Sequence, residues 1–448
     1  MLVKSILTGY ARLAETWLVF LSAKIDKQMY KRIFLLFFVF CFFNANAQIQ
    51  VVRLSLQDAV ERFSTCNLHL IAERYNIDMA EAQVIQAKLF ENPVLTLEQN
   101  VYNRNNGKYF DVGPEGEAVV GIEQLIYIAG QRNNRIKLEK INKEIATYQF
   151  EEVLRTLRNE LKMKFFDLYY TRKSLVVYDK EIGYIEKLLE VYKEQKEKGN
   201  ISLLEKSRID ALLLSLRQER NTADNEIVAL QGDLKLLLGL RSDESFEPLF
   251  DENVLGKIDT RVVSFAELND RMSVRPDMKL IQAGIRASQA DVKLQKSLAF
   301  PEVSVTGSFD RAGNFCNKYF AIGVNVSIPL FNRNQGNIKA AHLSVLQNSN
   351  RELYARQQAE NELSTAYTRL EKALTLYHSS NDELEKNFTI IIEGVNSSFQ
   401  KRNISLLEFV DYYQTYKETC LQLYETRKNV LMAVENINTV TGSDVFKY

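Results

Sequence analysis

One architectural unit is written twice in this chain, and the repetition constrains the fold more than any other feature. GNISLLE (Gly199 to Glu205) and RNISLLE (Arg402 to Glu408) share six consecutive residues, 203 positions apart in a chain of 448. The first phrase runs on to LKLLLGL, with Gly239, and the second to INTVTGS, with Gly442, again 203 positions later. Upstream, QLIYIAGQRNNRI (Gln124 to Ile136) matches VSIPLFNRNQGNI (Val326 to Ile338) at a spacing of 202, and Pro93 stands opposite Pro301 at 208. Matched landmarks at near-constant spacing imply a tandem duplication, 54–240 and 263–443, joined by an inter-repeat segment 241–262.

Within each unit the pattern reads helix, strand pair, very long helix, tip, long helix, with strand pairs at 94–126 and 302–330 and tips at 199–205 and 402–408. Only 6 Pro and 18 Gly punctuate the chain, so its elements must be long. Apolar residues at Leu154, Leu157, Leu161, Phe165, Leu168, Leu175, Tyr178, Ile182, Ile185, Leu189 and Tyr192 step by threes and fours, the seam of a coiled coil. A helix from Gly130 to Lys198 would reach roughly 100 Å at about 1.5 Å per residue.

The strands carry the other half of the signal. Phe320, Ile322, Val324, Val326 and Ile328 alternate with small or polar residues, as a strand between lipid and water requires. Val303, Val305, Gly307 and Phe309 repeat the pattern, and Leu95, Leu97, Val101, Val120, Ile122, Gln124 and Ile126 follow it less cleanly. Four strands cannot enclose a lumen, which takes roughly eight or more. Lipid tolerates no open edge, so the chain must associate. Three copies give twelve strands, the smallest number that leaves water inside.

Residues 29–47 read as a secretory signal peptide. Lys31 and Arg32 precede the apolar run Ile33 to Phe43, and Ala45-Asn46-Ala47 forms the cleavage site. Residues 1–28 then read as a mis-assigned start. Phe40 before Cys41 is too bulky for a lipidation site. The remaining cysteines, Cys66, Cys316 and Cys420, are odd in number and scattered, which argues against a disulfide framework. With 57 basic and 57 acidic residues the chain lacks the net positive charge of a nucleic-acid binder. His69, His342 and His378 have no metal-ligand spacing, and no catalytic fingerprint appears, so the residues point to no cofactor, no metal site and no enzyme. Tyr169, Tyr170, Tyr412 and Tyr413 read as packing aromatics rather than a binding cluster.

Together, the strand-to-helix phrases ending GQRNNRI and NRNQGNI, the two tip phrases and the prolines opening each strand pair resemble the TolC-like outer-membrane efflux proteins. The likeness covers the whole mature chain, from near Gln48, including the duplication. It implies an α+β membrane protein: a homotrimeric, 12-stranded transmembrane barrel, four strands per chain, continuous with a coiled-coil periplasmic tunnel. It also implies a periplasmic adaptor and an inner-membrane pump as partners, with outer-membrane lipid around the barrel. The implied function is an outer-membrane exit duct for small toxic compounds or metal ions. Protein secretion through the same kind of duct is an alternative, as is a soluble periplasmic coiled-coil structural or adaptor protein.

The resemblance also assigns roles. Gly199, Asn200, Ile201, Ser202, Leu203 and Leu204 in the first tip, and Asn403, Ile404, Ser405, Leu406 and Leu407 in the second, would contact the adaptor. Glu408 and Asp411, with Glu205, would ring the periplasmic aperture with carboxylates that favour cations. Ser202 with Glu205 and Ser405 with Glu408 have the spacing of capping boxes. Arg402 replaces the first tip's glycine, and Ile404 stands where the family's gate latch has a basic residue, so a salt-bridged latch of that pattern is not expected.

Overall fold

The computed structural model describes residues 50–197, 203–259, 264–312, 316–380 and 382–446; the expected signal peptide lies outside them. One compact unit comprises Val52–Ser242 and Phe246–Tyr448. Helices α1 (Leu56–Cys66) and α2 (Leu68–Ala87) lead to strand β2 (Val94–Gln99), which follows β1 (Gln50–Ser55) in the chain. A two-residue hairpin, β3 (Tyr102–Asn103) with β4 (Lys108–Tyr109), precedes β5 (Ala118–Ile126). Then come α3 (Gln131–Glu197), α4 (Leu203–Leu238), β6 (Glu244–Leu249), the short α5 (Phe265–Arg271) and α6 (Pro276–Ser297). The chain continues through β7 (Glu302–Ala312), β8 (Asn317–Ser327), α7 (Gln335–Ser379), α8 (Asp382–Gln400) and α9 (Leu406–Thr441).

Helix α3 runs for 67 residues, roughly 100 Å at 1.5 Å per residue. Its seam is what makes so long a helix stable, since tertiary burial rather than propensity supports such rods. Leu161, Phe165, Phe166 and Leu168 are fully enclosed, packed with Leu234 and Leu238 of α4, Leu363 and Leu370 of α7 and Val430, Val434 and Ile437 of α9. Nearer the tips a second cluster joins Ile185, Ile209, Leu213, Leu216, Ile392, Val395, Phe409 and Tyr413. In the second half the expected single rod is divided at Ser380, whose backbone is extended at φ −79° and ψ 121°. Ser379 Oγ donates to Leu376 O and Ser380 Oγ to Tyr377 O, and both carbonyls also accept from Ser380 N, which satisfies the helix end.

Both long return helices end on the glycines that mark the sequence repeat. Gly239 (φ +59°) and Gly442 (φ +65°) occupy the left-handed region that terminates helices. A Cβ on Gly239 would lie 2.6 Å from Cys66 O, and one on Gly442 would lie 3.2 Å from Arg275 Cγ. At the other end of the rods, Gln131 Oε1 accepts from Ala129 N and Gln335 Oε1 from Arg333 N. The structural equivalence at the strand-to-helix turns is therefore Gln131 with Gln335, two residues off the match read from sequence.

Candidate functional site

Strands β2, β5, β7 and β8 form one antiparallel sheet in that order. Its register gathers the apolar residues into cross-strand rows: Leu97, Val120, Phe309 and Phe320 in one, Leu95, Ile122, Gly307 and Ile322 in the next. Val305 with Val324 and Ile126, Val303 and Val326 complete the same face. In the chain alone this face is bare, with Ile322 88% and Phe320 76% exposed. Ile328 is exposed just beyond the end of β8. Val101 falls outside β2, and Gln99 and Gln124 are polar members of the face; the Gln124 amide donates to Glu91 O and Leu125 O, which lowers the cost of placing it there.

The opposite face is the more polar one, with Thr96, Glu98, Gly121, Glu123, Ser304, Thr306, Ser308, Ala321, Gly323 and Asn325, and it also carries Val94, Val119 and Leu125. Glu123 is its centre: the carboxylate accepts from Ser304 Oγ and from Asn325 Nδ2, tying three neighbouring strands together. Sequence reading passed over Glu123, although its alternation with Ile122 and Gln124 was visible. The polar, glycine-bearing loop of the first strand pair does not simply extend into solvent. Instead it folds on itself, with Asp111 accepting from Asn103 Nδ2 at 3.1 Å, Asn106 Nδ2 at 2.5 Å and Gly113 N at 2.9 Å. These donors hold the Asp111 carboxyl below its ordinary range, the Asn106 amide most of all.

At the far end of the rods the second tip is fully described. Asn403 N donates to Ser398 O at 2.8 Å and Arg402 takes φ +59°, the left-handed turn that glycine would make without strain. Ser405 caps α9: Glu408 N donates to Ser405 Oγ at 3.3 Å, while Ser405 N and Oγ donate to Glu408 Oε2 at 2.7 and 2.8 Å. That reciprocal cap, led by the backbone N–H of Ser405, holds the Glu408 carboxyl below its usual range. In the first tip Gly199, Asn200, Ile201 and Ser202, and with Ser202 its expected capping box, lie outside the described residues.

Helical spacing sorts the tip residues. Leu406, Phe409 and Tyr413 are buried, so Leu407, Glu408, Asp411 and Tyr412 share the exposed side of α9. Leu203 and Leu204 are likewise exposed, the latter at 79%, and Glu205 is exposed beside them. Ile404 is half-buried against the apolar cluster, and Asn403 is exposed. An aromatic run backs both tips: Tyr192 stacks on Phe399 (6.2 Å, 8°), Phe399 on Phe409 (4.4 Å) and Phe409 on Tyr413 (4.5 Å). Burial, then the Glu205 charge, pushes the Tyr192 hydroxyl up while Arg402 opposes it, so charges from both tips act on one ring. The four tyrosines separate as packing aromatics do. Tyr169 and Tyr170 sit edge-to-face at 5.1 Å in the main core, and Tyr413 belongs to the tip cluster with Tyr412 on its exposed side.

A sheet with a bare apolar face is thus joined to long rods, the second pair of which turns back at Arg402 and Asn403. The Outer membrane efflux protein family matches residues 45–240 and 269–443. The chain belongs to that family. Its members are channels of the outer membrane with a periplasmic extension, not enzymes, which removes the soluble adaptor alternative. The cation efflux system protein CusC of Escherichia coli (strain K12) is 21% identical over 318 residues, 67% of this chain and 64% of that one. The cobalt-zinc-cadmium resistance protein CzcC of Cupriavidus metallidurans is 23% identical over 293 residues, 64% of this chain and 66% of that one. The chain thus spans slightly under two thirds of the length of the first such relatives. Among solved structures, CusC superposes with a TM-score of 0.69 at 15% identity, covering 87% of this chain and 92% of that one. The open-state MtrE channel of Neisseria gonorrhoeae superposes with a TM-score of 0.68 at 14% identity, covering 87% and 89%. These likenesses establish the fold.

Proposed function

We propose that this outer-membrane efflux protein works as a homotrimeric exit duct, passing metal cations or small toxic compounds handed over by an inner-membrane pump and a periplasmic adaptor. One observation carries the reading: the sheet and both helical layers end in open edges. The sheet is bounded by β2 and β8. Beside it α2 packs on α3, α3 on α6 and α6 on α7; nearer the tips α4 packs on α3, α3 on α9, and α9 on α7 and α8. One side of the chain therefore presents β2, α2 and α4, and the other β8, α7 and α8.

Open strand edges and a bare apolar face have no place in water or in lipid alone. Exposed apolar residues run along both sides at helical spacing: Leu68, Ile71, Tyr75 and Met79 on α2, and Leu343, Leu346 and Leu353 on α7. Another copy of the chain supplies what each edge lacks, and three copies give a 12-stranded barrel with a lumen. The duplication, 54–240 and 263–443, makes the ring quasi-sixfold. In it Phe320, Ile322, Val324, Val326 and Ile328 face lipid, and Glu408, Asp411 and Glu205 border the aperture. Leu203, Leu204, Leu407 and their tip neighbours meet the adaptor. Metal cargo is supported by the names of the matched relatives, which include a nickel-cobalt-cadmium resistance protein, 22% identical over 275 residues.

Two measurements test the reading. Detergent-extracted membranes should yield a heat-sensitive band at three times the chain's mass. A deletion strain should lose tolerance to cobalt, zinc, cadmium or nickel salts ahead of dyes and detergents. A processed chain that stays dispersed and single-copy without detergent would sink the duct.

A further inference from the structure

Lys417 falls on the buried seam of α9, continuing Leu406, Phe409 and Tyr413, where a coiled coil puts apolar residues. Its Nζ donates to Glu219 Oε2 of α4 at 2.8 Å. Across from that pair, Glu181 of α3 is only 2% exposed, and its Oε1 has no hydrogen-bond partner among the described residues. Glu181 lines a small cavity of about 10 Å³, room for roughly one water, with Ile185, Leu212, Leu216, Tyr413, Gln414 and Lys417. The charged and titratable groups around it are Tyr178 on its own helix, Glu219 on α4, and Tyr413 and Lys417 on α9. Two carboxylates thus compete for one ammonium where three rods meet, next to the cluster that supports the tips.

We propose that Glu181 is a proton-operated latch: its neutral carboxyl lets α3, α4 and α9 close together, and its ionisation draws Lys417 from Glu219 and loosens them. The chemistry is simple. A buried carboxylate without its own cation is costly, and a neutral carboxyl is not. Burial pushes the Glu181 acid up to about 8 from its ordinary 4.5; Lys417 opposes the rise and Glu219 adds to it. The closed form therefore holds its proton more tightly than a loosened form in which water reaches the group. Closure is favoured fully below the ordinary carboxylate range, weakens steadily as pH rises toward about 8, and is weakest above it. What the latch does to passage rests on the duct reading; the latch itself is tested without it.

The test is hydrogen exchange on the detergent-purified full chain, read as protection factors so that the intrinsic pH dependence is removed. Between pH 5 and pH 8 segments 174–189 and 410–424 should lose protection by about tenfold per pH unit, the slope of one linked proton. Segment 154–168 serves as the internal control. Glu181→Gln should flatten the dependence. Glu219→Gln, which leaves Lys417 free for Glu181, should shift the loss toward lower pH and keeps the test valid if the first variant misfolds. A flat wild-type profile, a wild-type slope retained in Glu181→Gln, or an unshifted profile in Glu219→Gln overturns the latch. Failure of the chain to conduct ions would count against the duct and leave this result untouched.

Discussion

On the sheet, Phe320 and Ile322 stand bare while Glu123, Ser304 and Asn325 turn toward one another; on the rods, Leu161, Phe165 and Leu168 are enclosed. The apolar residues of the two regions are chemically alike, but their surroundings are inverted. A strand's period of two gives each residue an unambiguous side, so a four-stranded sheet can turn its apolar side outward to lipid and its polar side to water. Rods along a common seam have the opposite requirement, because their only route to stability in water is to bury that seam. One chain carries both patterns by changing its period at Gln131 and Gln335.

The rods should answer first to a cavity. Phe165→Ala, which removes a ring 5.7 Å from Phe166 and 5.9 Å from Phe246, should cost about 3–5 kcal/mol in denaturant unfolding. The buried pair Lys162–Glu435, at 2.8 Å between α3 and α9, is one of the rods' exceptions to apolar burial. Lys162→Met strands a carboxylate and should cost about 3–5 kcal/mol, and Lys162→Met with Glu435→Leu should recover most of it. On the sheet, Ile322→Arg should cost about 2–4 kcal/mol in folding from urea into bilayers, and Ser308→Arg on the polar face far less. Equal costs at the two positions would undo the assignment of faces. Gly442→Ala, in the left-handed region and tight against Arg275, should cost about 1–2 kcal/mol in the same rod assay. The smallest effect on stability belongs to the tip. Glu408→Ala with Asp411→Ala removes the carboxylate half of the capping box and should cost about 1 kcal/mol or less, yet should raise single-channel conductance and weaken cation preference in planar bilayers. Unchanged conductance would take both acids out of the aperture.

Much of this was legible in the linear chain because the signals are periodic or repeated. The seam from Leu154 to Tyr192, the alternation from Phe320 to Val326 and the paired glycines Gly239 and Gly442 depend on local geometry, which neighbouring residues specify. The cap formed by Ser405 and Glu408 is local for the same reason. Other features were not legible. The division of the second rod at Ser380 follows no repeat or period, and its helix end is satisfied by Ser379 and Ser380 hydroxyls together with Ser380 N. The folded loop around Asp111 depends on amides brought together by a two-residue hairpin.

The repeat also hides a difference that only packing reveals. The first return helix gives the carbonyl of Leu237 to Asn67 and that of Leu238 to Arg62. The second gives Val440 O to the buried Arg275, itself held by Asp277 and Glu362, and Thr439 O to Arg155. Glycine recurs because the backbone at a helix end demands it, whereas any well-placed donor can satisfy the carbonyls.

From its own letters the chain determined the doubled order of elements, the length of the first rod and the alternating face of each strand, since these follow from periods and turn residues along the backbone. Tertiary structure decided which strand adjoins which, that Glu123 joins Ser304 and Asn325, and that Glu181, Lys417 and Glu219 converge. Those groups lie 181, 202 or 198 residues apart in the pairs whose bonds are described, and only the packing of separate helices and strands brings such distant side chains within reach of each other's charge.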